Sequence, residues 1–479
     1  VNIRTAPLRP TYLRLEASGG QYGYGYGNLS GAVSAGRFSV LGAASYRRSD
    51  GYRHNTDFSN YNAFVRATCD GGRAGFFDLQ AGWQDRDFGS NGFYAAYNPD
   101  QWEHTATALA SLRWLKTAGR FSLGAAASYR KNFDRYDWTR GTAMNRHNTD
   151  NAGAKLWADC DWAAGVTSVG GDWAFNHIYS TNLGQPLAHP EGHYTHAKAR
   201  HTGNLWLRHA KRWQRFDAAA SAGVSLTPYG TSALWSLSAG YAPAAGMRLE
   251  AGAWQSMRLP TFTDLYYTSP AQINNLDLVP EHAVTYRFGI DYLKRCWNLS
   301  AQAYYRSGRD IIDWVWREDM GGKWHSEQTS RLDTFGAELA GGYAASEGFL
   351  RRVTLSYGYI TTDRNADVVA KSAMDFMRHK AVLAVEVRFL RRMSLALTGS
   401  VYDRNGSYTH YPEPGNASLT EERDYKPYFL LDGRLQWEKG LCRLYVDATN
   451  ITDTRYCDIG GIRLPGVWCT GGVVLTIGR

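Results

Sequence analysis

The stretch "RFDAAASAGVSL", Arg215 to Leu226, decides the fold class because the character of its side chains alternates with a period of two. The even positions are apolar: Phe216, Ala218, Ala220, Ala222, Val224 and Leu226. The odd positions are small or polar: Arg215, Asp217, Ala219, Ser221, Gly223 and Ser225. A segment with one apolar and one polar face predicts a β-strand that is buried on one side.

The same alternation runs through most of the chain and predicts an all-β protein. Further examples start at Trp297, Val353 and Leu444. Of the 479 residues, 44% are hydrophobic and 14% are aromatic, yet mean hydropathy is only -0.44, so apolar and polar positions are interleaved. No stretch approaches the ~18 to 20 apolar residues that a membrane helix needs. Closed barrels cross bilayers with alternating segments of about 10 residues instead.

Connections between the strands alternate in length. Short ones lie at Lys116 to Gly119 and at Ala242 to Gly246. Long ones, rich in polar and aromatic residues, lie at Asp85 to Glu103, Ser180 to Lys198 and Arg404 to Tyr425. Short turns on one rim and long loops on the other are typical of outer-membrane barrels.

A soluble β-sandwich would show the same alternation, with its polar rows facing water. Turn asymmetry and aromatics near strand ends favour the barrel. Examples of such aromatics are Tyr46, Tyr129, Trp213, Tyr357 and Tyr402. The prediction is a transmembrane antiparallel β-barrel with long extracellular loops and short periplasmic turns, forming one domain over residues 1–479.

Charge and cysteine content exclude several function classes. The net charge of +9 is spread over single arginines without a basic tract, which favours lipid head groups over nucleic acid. The six cysteines form no CxxC pair; a bridge from Cys457 to Cys469 stays open. The sequence contains no GxSxG, P-loop or dinucleotide-binding motif in a suitable context, so we expect no enzyme.

Several motifs resemble those of TonB-dependent outer-membrane receptors. "WQSMRLPTFTDLYY" (Trp254–Tyr267) with "NNLDLVPE" (Asn274–Glu281) is similar to the family's paired signature, and "LYVDATNITDTRYCDIGGIRLPGVW" (Leu444–Trp468) is similar to its final segment. "SGRDIIDWVW" (Ser307–Trp316) and "FGSNGFYAAYNPDQWE" (Phe88–Glu103) most resemble the cobalamin-receptor branch of Bacteroidota, as does "IYSTNLG" (Ile178–Gly184).

The resemblance implies a Gram-negative outer-membrane barrel of about 22 strands that takes up cobalamin, with iron-siderophore and haem as alternative cargoes. It also implies an N-terminal plug domain. The opening "VNIRT" resembles the last residues of that domain, and the rest of the plug is absent from this sequence. The implied partners are the TonB-ExbB-ExbD motor, a ligand-capturing surface lipoprotein and outer-membrane lipid or lipopolysaccharide. A passive diffusion pore or a structural barrel without a plug is the alternative from another class.

One long loop and the first signature motif supply candidate ligand-binding residues. A large amphipathic ligand needs flat apolar area with a few orienting hydrogen bonds, although belt or packing roles suit the same residue types. The candidates are Asn91, Phe93, Tyr94, Tyr97, Trp102, Tyr266 and Tyr267.

Two groups of side chains are candidate metal ligands, and no cofactor is required. The four aspartates Asp85, Asp87, Asp134 and Asp137 are candidate calcium ligands, and ordinary solvated loop carboxylates are the alternative interpretation. A metal or haem iron is the corresponding hypothesis for His189, His193 and His196, which a polar loop could equally concentrate by chance.

Overall fold

The computed structural model describes residues 11–364 and 376–478, except for the side chains of residues 329, 330 and 364. Within these ranges the chain forms 26 strands, one short helix and two 3-10 turns. No helix in the described ranges has the length and apolar character needed to cross a membrane. All six cysteines are free.

Twenty-two of the strands form one closed antiparallel barrel, which confirms the predicted fold class. The barrel closes because the first strand pairs with the last, with Leu15 opposite Leu475. The first eleven barrel strands are β1 (Tyr12–Gly20), β2 (Tyr24–Ala35), β3 (Phe38–Ser49), β4 (Phe58–Asp70), β5 (Phe76–Gly89), β6 (Trp102–Ala118), β7 (Phe121–Asp137), β8 (Asn145–Trp162), β9 (Gly165–Ser180), β11 (Tyr194–Trp213) and β12 (Phe216–Thr227). The others are β13 (Gly230–Tyr241), β14 (Met247–Arg258), β16 (Glu281–Lys294), β17 (Trp297–Arg317), β18 (Lys323–Ala344), β19 (Leu350–Arg364), β20 (Met377–Phe389), β21 (Met393–Arg404), β24 (Tyr428–Lys439), β25 (Cys442–Thr449) and β26 (Trp468–Ile477).

The remaining elements lie in connections between barrel strands. The short strands are β10 (Gln185–Glu191), β15 (Gln272–Ile273), β22 (Ser407–His410) and β23 (Glu421–Asp424). Helix α1 spans Phe262–Tyr266, and the 3-10 turns span Gly72–Ala74 and Ile459–Gly461. Because antiparallel neighbours are joined in sequence, each barrel strand pairs with the strands before and after it, and no edge of the described barrel sheet stays open.

The two rims differ in the length of their connections, as the sequence predicts. The strands β6 and β7 are joined by two residues, Gly119 and Arg120, and Gly119 has a left-handed φ of 61° that suits glycine. Gly36 has the same role before β3, with a φ of 57°. We call this end the short-turn rim and the opposite end the long-loop rim.

Two of the predicted long loops contain residues that belong to strands. The strand β5 continues to Gly89 and β6 begins at Trp102, so the loop is shorter than the predicted span from Asp85 to Glu103. The segment from Ser180 to Lys198 forms a hairpin of β10 and β11. Backbone pairing above the barrel therefore extends the wall, an effect that alternation alone does not predict.

The wall has an apolar outer face and a charged inner face. Leu13 and Leu15 of β1 are each 42% exposed on the outside. Arg14 and Glu16, which alternate with them, form an ion pair at 2.8 Å on the inside. Of the five aromatics predicted near strand ends, four lie at outward positions. Tyr402 instead lies at a lumen-facing position, where its ring stacks on that of Tyr428 with centroids 5.1 Å apart.

Candidate ligand-binding mouth

The wall on one side of the long-loop rim extends well beyond a bilayer span. The strand β7 has 17 residues, whereas about 9 to 11 suffice to cross the hydrocarbon. Toward the long-loop end of this strand, outward Lys131 and Asp150 form an ion pair at 3.3 Å, which marks the start of a water-exposed part. We call the part of β5 to β9 and β11 beyond this ion pair the collar.

The loop Ser90–Gln101 folds inward over the collar. The ring of Tyr94 packs edge-on against Tyr136 of β7 with centroids 4.8 Å apart. Its hydroxyl donates to Glu103, a buried residue on the lumen side of β6. The side chain of Gln101 is fully buried, and its Oε1 accepts from the backbone N–H of Tyr94 at 3.2 Å. Tyr94 is thus held at the mouth by Gln101 at the end of its own loop and by Glu103 of the strand that follows.

Tyr97 connects three loops across the mouth. Its ring lies 5.8 Å from Trp138, which follows β7, and 5.5 Å from Tyr411, which follows β22. The backbone N–H of Gly415 donates to the Tyr97 carbonyl at 2.6 Å. Since eight strands lie between β21 and β6 around the barrel, the loop between β21 and β24 must reach over the opening.

The segment that carries the first signature motif is anchored by buried charge. Helix α1 begins with a capping box, in which the Thr261 hydroxyl accepts from the Asp264 N–H and the Asp264 carboxylate accepts from the Thr261 N–H. Arg258, the last residue of β14, lies 3.7 Å from Asp264 and donates to Glu281. Glu281 also accepts from the backbone N–H of Ile312 at 2.8 Å.

Apolar packing holds the same segment against the barrel. Leu265, Leu278 and Ile312 form a buried cluster on which Tyr266 packs. Pro260 is fully buried at the end of β14, and its carbonyl accepts from Arg200 of β11 at 2.7 Å. A proline is compatible here because no ladder hydrogen bond is required from its nitrogen. The motif therefore fixes the position of Leu259–Pro280 at the rim.

Tyr267 extends this segment toward the opposite side of the mouth. Burial raises the pKa of Tyr136, and the hydroxyl of Tyr267 raises it further. Tyr267 therefore lies within electrostatic range of Tyr136, although β7 and β14 are separated by five barrel strands. The motif segment and the collar thus both place an aromatic side chain at the mouth.

Two titratable side chains lie opposite each other on the lumen side of the collar. Asp134 of β7 pairs in register with His147 of β8. Burial raises the pKa of Asp134 to about 6, with Glu103 acting in the same direction and His104 opposing it. Burial also lowers the pKa of His147 to about 4, so the imidazole is neutral at pH 7. At pH 7 the Asp134 carboxyl is ionised, and burial of this charge lowers the stability of the folded protein.

We expect Asp134→Asn to stabilise the protein at pH 7 by about 1–2 kcal/mol, which allows for the partial exposure of the group. Because its folded-state pKa is raised, the wild-type carboxyl contributes stability below its ordinary value of 3.8 and loses it as pH rises through about 6. Thermal unfolding of both proteins at pH 4 and pH 7 measures the effect. A difference that stays constant between these pH values would contradict it.

The structure brings only some of the predicted ligand-binding residues together. Tyr94 packs against Tyr136 and Tyr97 against Tyr411 at the mouth, Tyr267 lies within electrostatic range of Tyr136, and Phe93 is 59% exposed beside Tyr94. Asn91 ties its loop to the preceding one by donating to the His54 carbonyl at 2.7 Å. Other predicted members lie elsewhere.

Trp102 and Tyr266 have neighbours that suit a structural role. The Trp102 ring lies at an outward position of β6 between the guanidinium groups of Arg135 and Arg140, at 5.4 and 5.7 Å. Tyr266 packs on the apolar cluster under the motif segment, with Lys198 6.0 Å from its ring. Ligand contact by these residues stays a prediction.

The four aspartates predicted as calcium ligands do not converge. Asp85 and Asp134 pair with the consecutive residues Ala106 and Thr105 of β6, so they face opposite sides of the wall. Both carboxylate oxygens of the fully buried Asp137 accept from Arg135 at 2.9 Å. Asp87 lies on the same outward row of β5 as Asp85. Calcium binding by these residues stays a prediction.

The histidines His189 and His193 are exposed on and beside the β10–β11 hairpin, and His196 shares a hydrogen bond of 2.8 Å with the Thr195 hydroxyl. In the described part of the chain, no group of three or more histidine, cysteine, aspartate or glutamate side chains is placed to hold a metal ion. A metal or haem role for these histidines stays a prediction.

Comparison with known proteins assigns the barrel. The family described as "TonB dependent receptor-like, beta-barrel" matches residues 18–451. The chain belongs to this family of TonB-dependent receptor barrels. The family is one of receptors and transporters of the Gram-negative outer membrane, and not of enzymes.

One curated relative and several solved structures of such receptors are similar to this chain. The vitamin B12 transporter BtuB of Photobacterium profundum is 26% identical over 134 residues, which cover 28% of this chain and about a fifth (21%) of that protein. The siderophore receptor PirA from Pseudomonas aeruginosa has a TM-score of 0.74 at 12% identity, covering 99% of this chain and 81% of its own. The copper transporter OprC has a TM-score of 0.78 at 14% identity, with coverages of 98% and 81%. At these identities the structures show the fold alone.

Several residues of the mouth have no signal in the sequence. Tyr136, Glu103 and Trp138 lie in or beside strands, and Tyr411 lies in a loop about 310 residues away from Tyr97. Only the alternation within β6 and β7, which places Glu103 and Tyr136 on the lumen face, could have indicated two of them.

Proposed function

We propose that this chain is the barrel of an outer-membrane receptor that binds cobalamin at its long-loop rim and passes it to the periplasm. The supporting observation is that aromatic contacts join distant loops and strands over a polar lumen, Tyr94 with Tyr136 and Tyr97 with Tyr411, with Tyr267 within electrostatic range of Tyr136. Rings with hydrogen-bonding edges suit a large, flat ligand with apolar faces and many polar substituents. The partial similarity to a vitamin B12 transporter supports the same cargo.

Transport through this barrel requires energy and a gate. In the proposal a plug domain closes the lumen, and the TonB-ExbB-ExbD motor of the inner membrane moves it after ligand binds. A surface lipoprotein that captures ligand would dock at the long-loop rim, and lipopolysaccharide would surround the outward face. Calcium bound in the extracellular loops and an origin in Bacteroidota belong to the same proposal.

Calorimetric titration of the receptor, including its plug domain, with cyanocobalamin tests the cargo. We expect a nanomolar dissociation constant, and we expect Tyr97→Ala to weaken it at least tenfold because three loops lose their common contact. Tyr129→Ala is the matched control, since that ring lies on the outward wall. No heat at micromolar protein would exclude cobalamin; heat with a ferric siderophore or haem would then identify the alternative cargo.

A further inference from the structure

Two cations face the lumen side by side where the collar meets the motif segment. Lys198 and Arg200 occupy even positions of β11. The odd positions Leu205 and Leu207 of the same strand are 59% and 53% exposed on the outside. Because the register of β11 against β9 is unbroken over this stretch, Lys198 and Arg200 point inward. We call these two residues the mouth cations.

Each mouth cation lies over an aromatic ring of helix α1. The Lys198 ammonium is 6.0 Å from the centre of the Tyr266 ring. The Arg200 guanidinium is 5.0 Å from the centre of the Phe262 ring, and its Nη1 donates to the Pro260 carbonyl at 2.7 Å. The motif segment therefore positions both side chains at the mouth, and a ring covers one side of each charge.

Neither mouth cation has an acidic partner among the described residues. No carboxylate in that part of the chain lies within ion-pair distance of Lys198 or Arg200, and Nε of Arg200 is buried without a hydrogen-bond partner. By contrast, Arg258 at the end of β14 is neutralised by Glu281 and Asp264. The two charges on β11 therefore favour an anion that enters the mouth from solution.

The opposite side of the collar carries the reverse charge. Glu103 of β6 and Asp134 of β7 face the lumen, and Glu103 accepts from the Tyr94 hydroxyl. The strands β7 and β11 are three strand steps apart, which is about 14 Å along the wall. A ligand in the mouth therefore meets positive charge on the β11 side and negative charge on the β7 side, and this asymmetry directs an anionic group to the mouth cations.

We propose that Lys198 binds the anionic group of the ligand, with Arg200 as a further source of positive charge. This inference rests on the proposed function, because cyanocobalamin carries one anionic substituent on its periphery, the phosphodiester of its nucleotide loop. The Lys198 ammonium donates to a phosphate oxygen while Tyr266 positions the ammonium. The amide side chains of the corrin then lie toward Glu103 and Asp134, whose carboxylates accept hydrogen bonds from amide N–H groups.

A packing role is the alternative explanation for Lys198. A cation that only packs on Tyr266 stabilises the motif segment, so its removal would weaken every ligand of the mouth to the same extent. A cation that binds the phosphodiester acts only on ligands that carry this group. Comparison of two ligands on one variant therefore separates the two roles.

Calorimetric titration of the receptor, including its plug domain, with cyanocobalamin and with dicyanocobinamide tests the proposal. Dicyanocobinamide has the same corrin ring but no nucleotide loop and no phosphate. We expect Lys198→Gln to weaken cyanocobalamin binding about tenfold and dicyanocobinamide binding less than about twofold. Lys198→Arg keeps the charge and should retain the affinity for cyanocobalamin within about threefold. The dissociation constant for cyanocobalamin should also rise more steeply with ionic strength in the wild type than in Lys198→Gln.

Lys131→Gln is the matched control, because Lys131 lies on the outward face of the same collar, where it pairs with Asp150. This variant should leave both dissociation constants unchanged. Equal weakening of the two ligands by Lys198→Gln, or no weakening of either, would overturn the proposal while the cargo assignment stands. If the wild-type receptor binds no cyanocobalamin, the cargo assignment and this inference fail together.

Discussion

Ala222→Arg is expected to destabilise the protein folded in a bilayer by about 2–4 kcal/mol. Ala222 lies at the centre of β12 on the outward face, where it pairs with Leu207, which is 53% exposed. An arginine at this depth must place its guanidinium in hydrocarbon or distort the lipid around it. Urea titration of the protein refolded into lipid vesicles measures the loss, which corresponds to a factor of about 30 to 1,000 in the folding equilibrium.

Ala219→Arg on the same strand is the control for this prediction. Ala219 pairs with Ala210 and Ser238, on the face where Asp217 binds Arg248 at 2.7 Å. Its side chain points to the lumen, where a charge stays hydrated, so we expect a change below about 1 kcal/mol. Equal losses for both variants would mean that the two faces of the wall have the same surroundings, which would contradict the membrane placement.

Arg258→Ala is expected to release the motif segment Leu259–Pro280 from the rim at a loss of about 2–3 kcal/mol. The guanidinium is 46% exposed, but the carboxylates that it neutralises are nearly buried, with 7% exposure for Glu281 and 12% for Asp264. Removal of the arginine leaves two buried negative charges close together. The loss lies below the ~3–5 kcal/mol of a fully buried pair because Arg258 retains contact with water. Hydrogen exchange of the backbone amides from Phe262 to Asp277 measures it.

The matched control is Arg423→Ala at a second ion pair. Arg423 is also 46% exposed, but its partner Glu421 is 50% exposed, so removal of the arginine leaves a hydrated carboxylate. We expect a much smaller loss there, since exposed ion pairs contribute little to stability. If Arg258→Ala were equally mild, the burial of Glu281 would not matter and the anchoring of the motif segment would need another explanation. If it is severe, ligand binding should weaken as well because Tyr267 leaves the mouth.

The first signature motif, Trp254–Tyr267, is only partly explained by its residue pattern. Pro260 follows β14 by two residues, and its residue type alone accounts for a place beyond the strand because proline cannot donate a ladder hydrogen bond. The pairing of Arg258 with Glu281 joins residues 23 positions apart. It depends on the register of β14 against β16, which the sequence pattern does not specify.

The candidate site divides in a similar way. The sequence identified Tyr94, Tyr97 and Tyr267 as candidates from their residue type and loop position, and the structure places all three at the mouth, Tyr94 against Tyr136, Tyr97 against Tyr411 and Tyr267 within electrostatic range of Tyr136. It also grouped Asp85 with Asp134, which the alternation of neighbouring strands places on opposite faces. A cluster of equal residue types in sequence says nothing about the face of the wall on which each member lies.

The sequence by itself determined that this protein is an antiparallel barrel with unequal rims, because a period of two and the turn lengths are local properties of the chain. Only the tertiary structure decided which loops cross the mouth, which carboxylates are buried and which cations face the mouth without an acidic partner among the described residues. These features arise where segments far apart in sequence become neighbours, as when Tyr411 reaches Tyr97 or when Lys198 lies beside Tyr266. Their energies depend on burial and on distance, which exist only after the chain has closed.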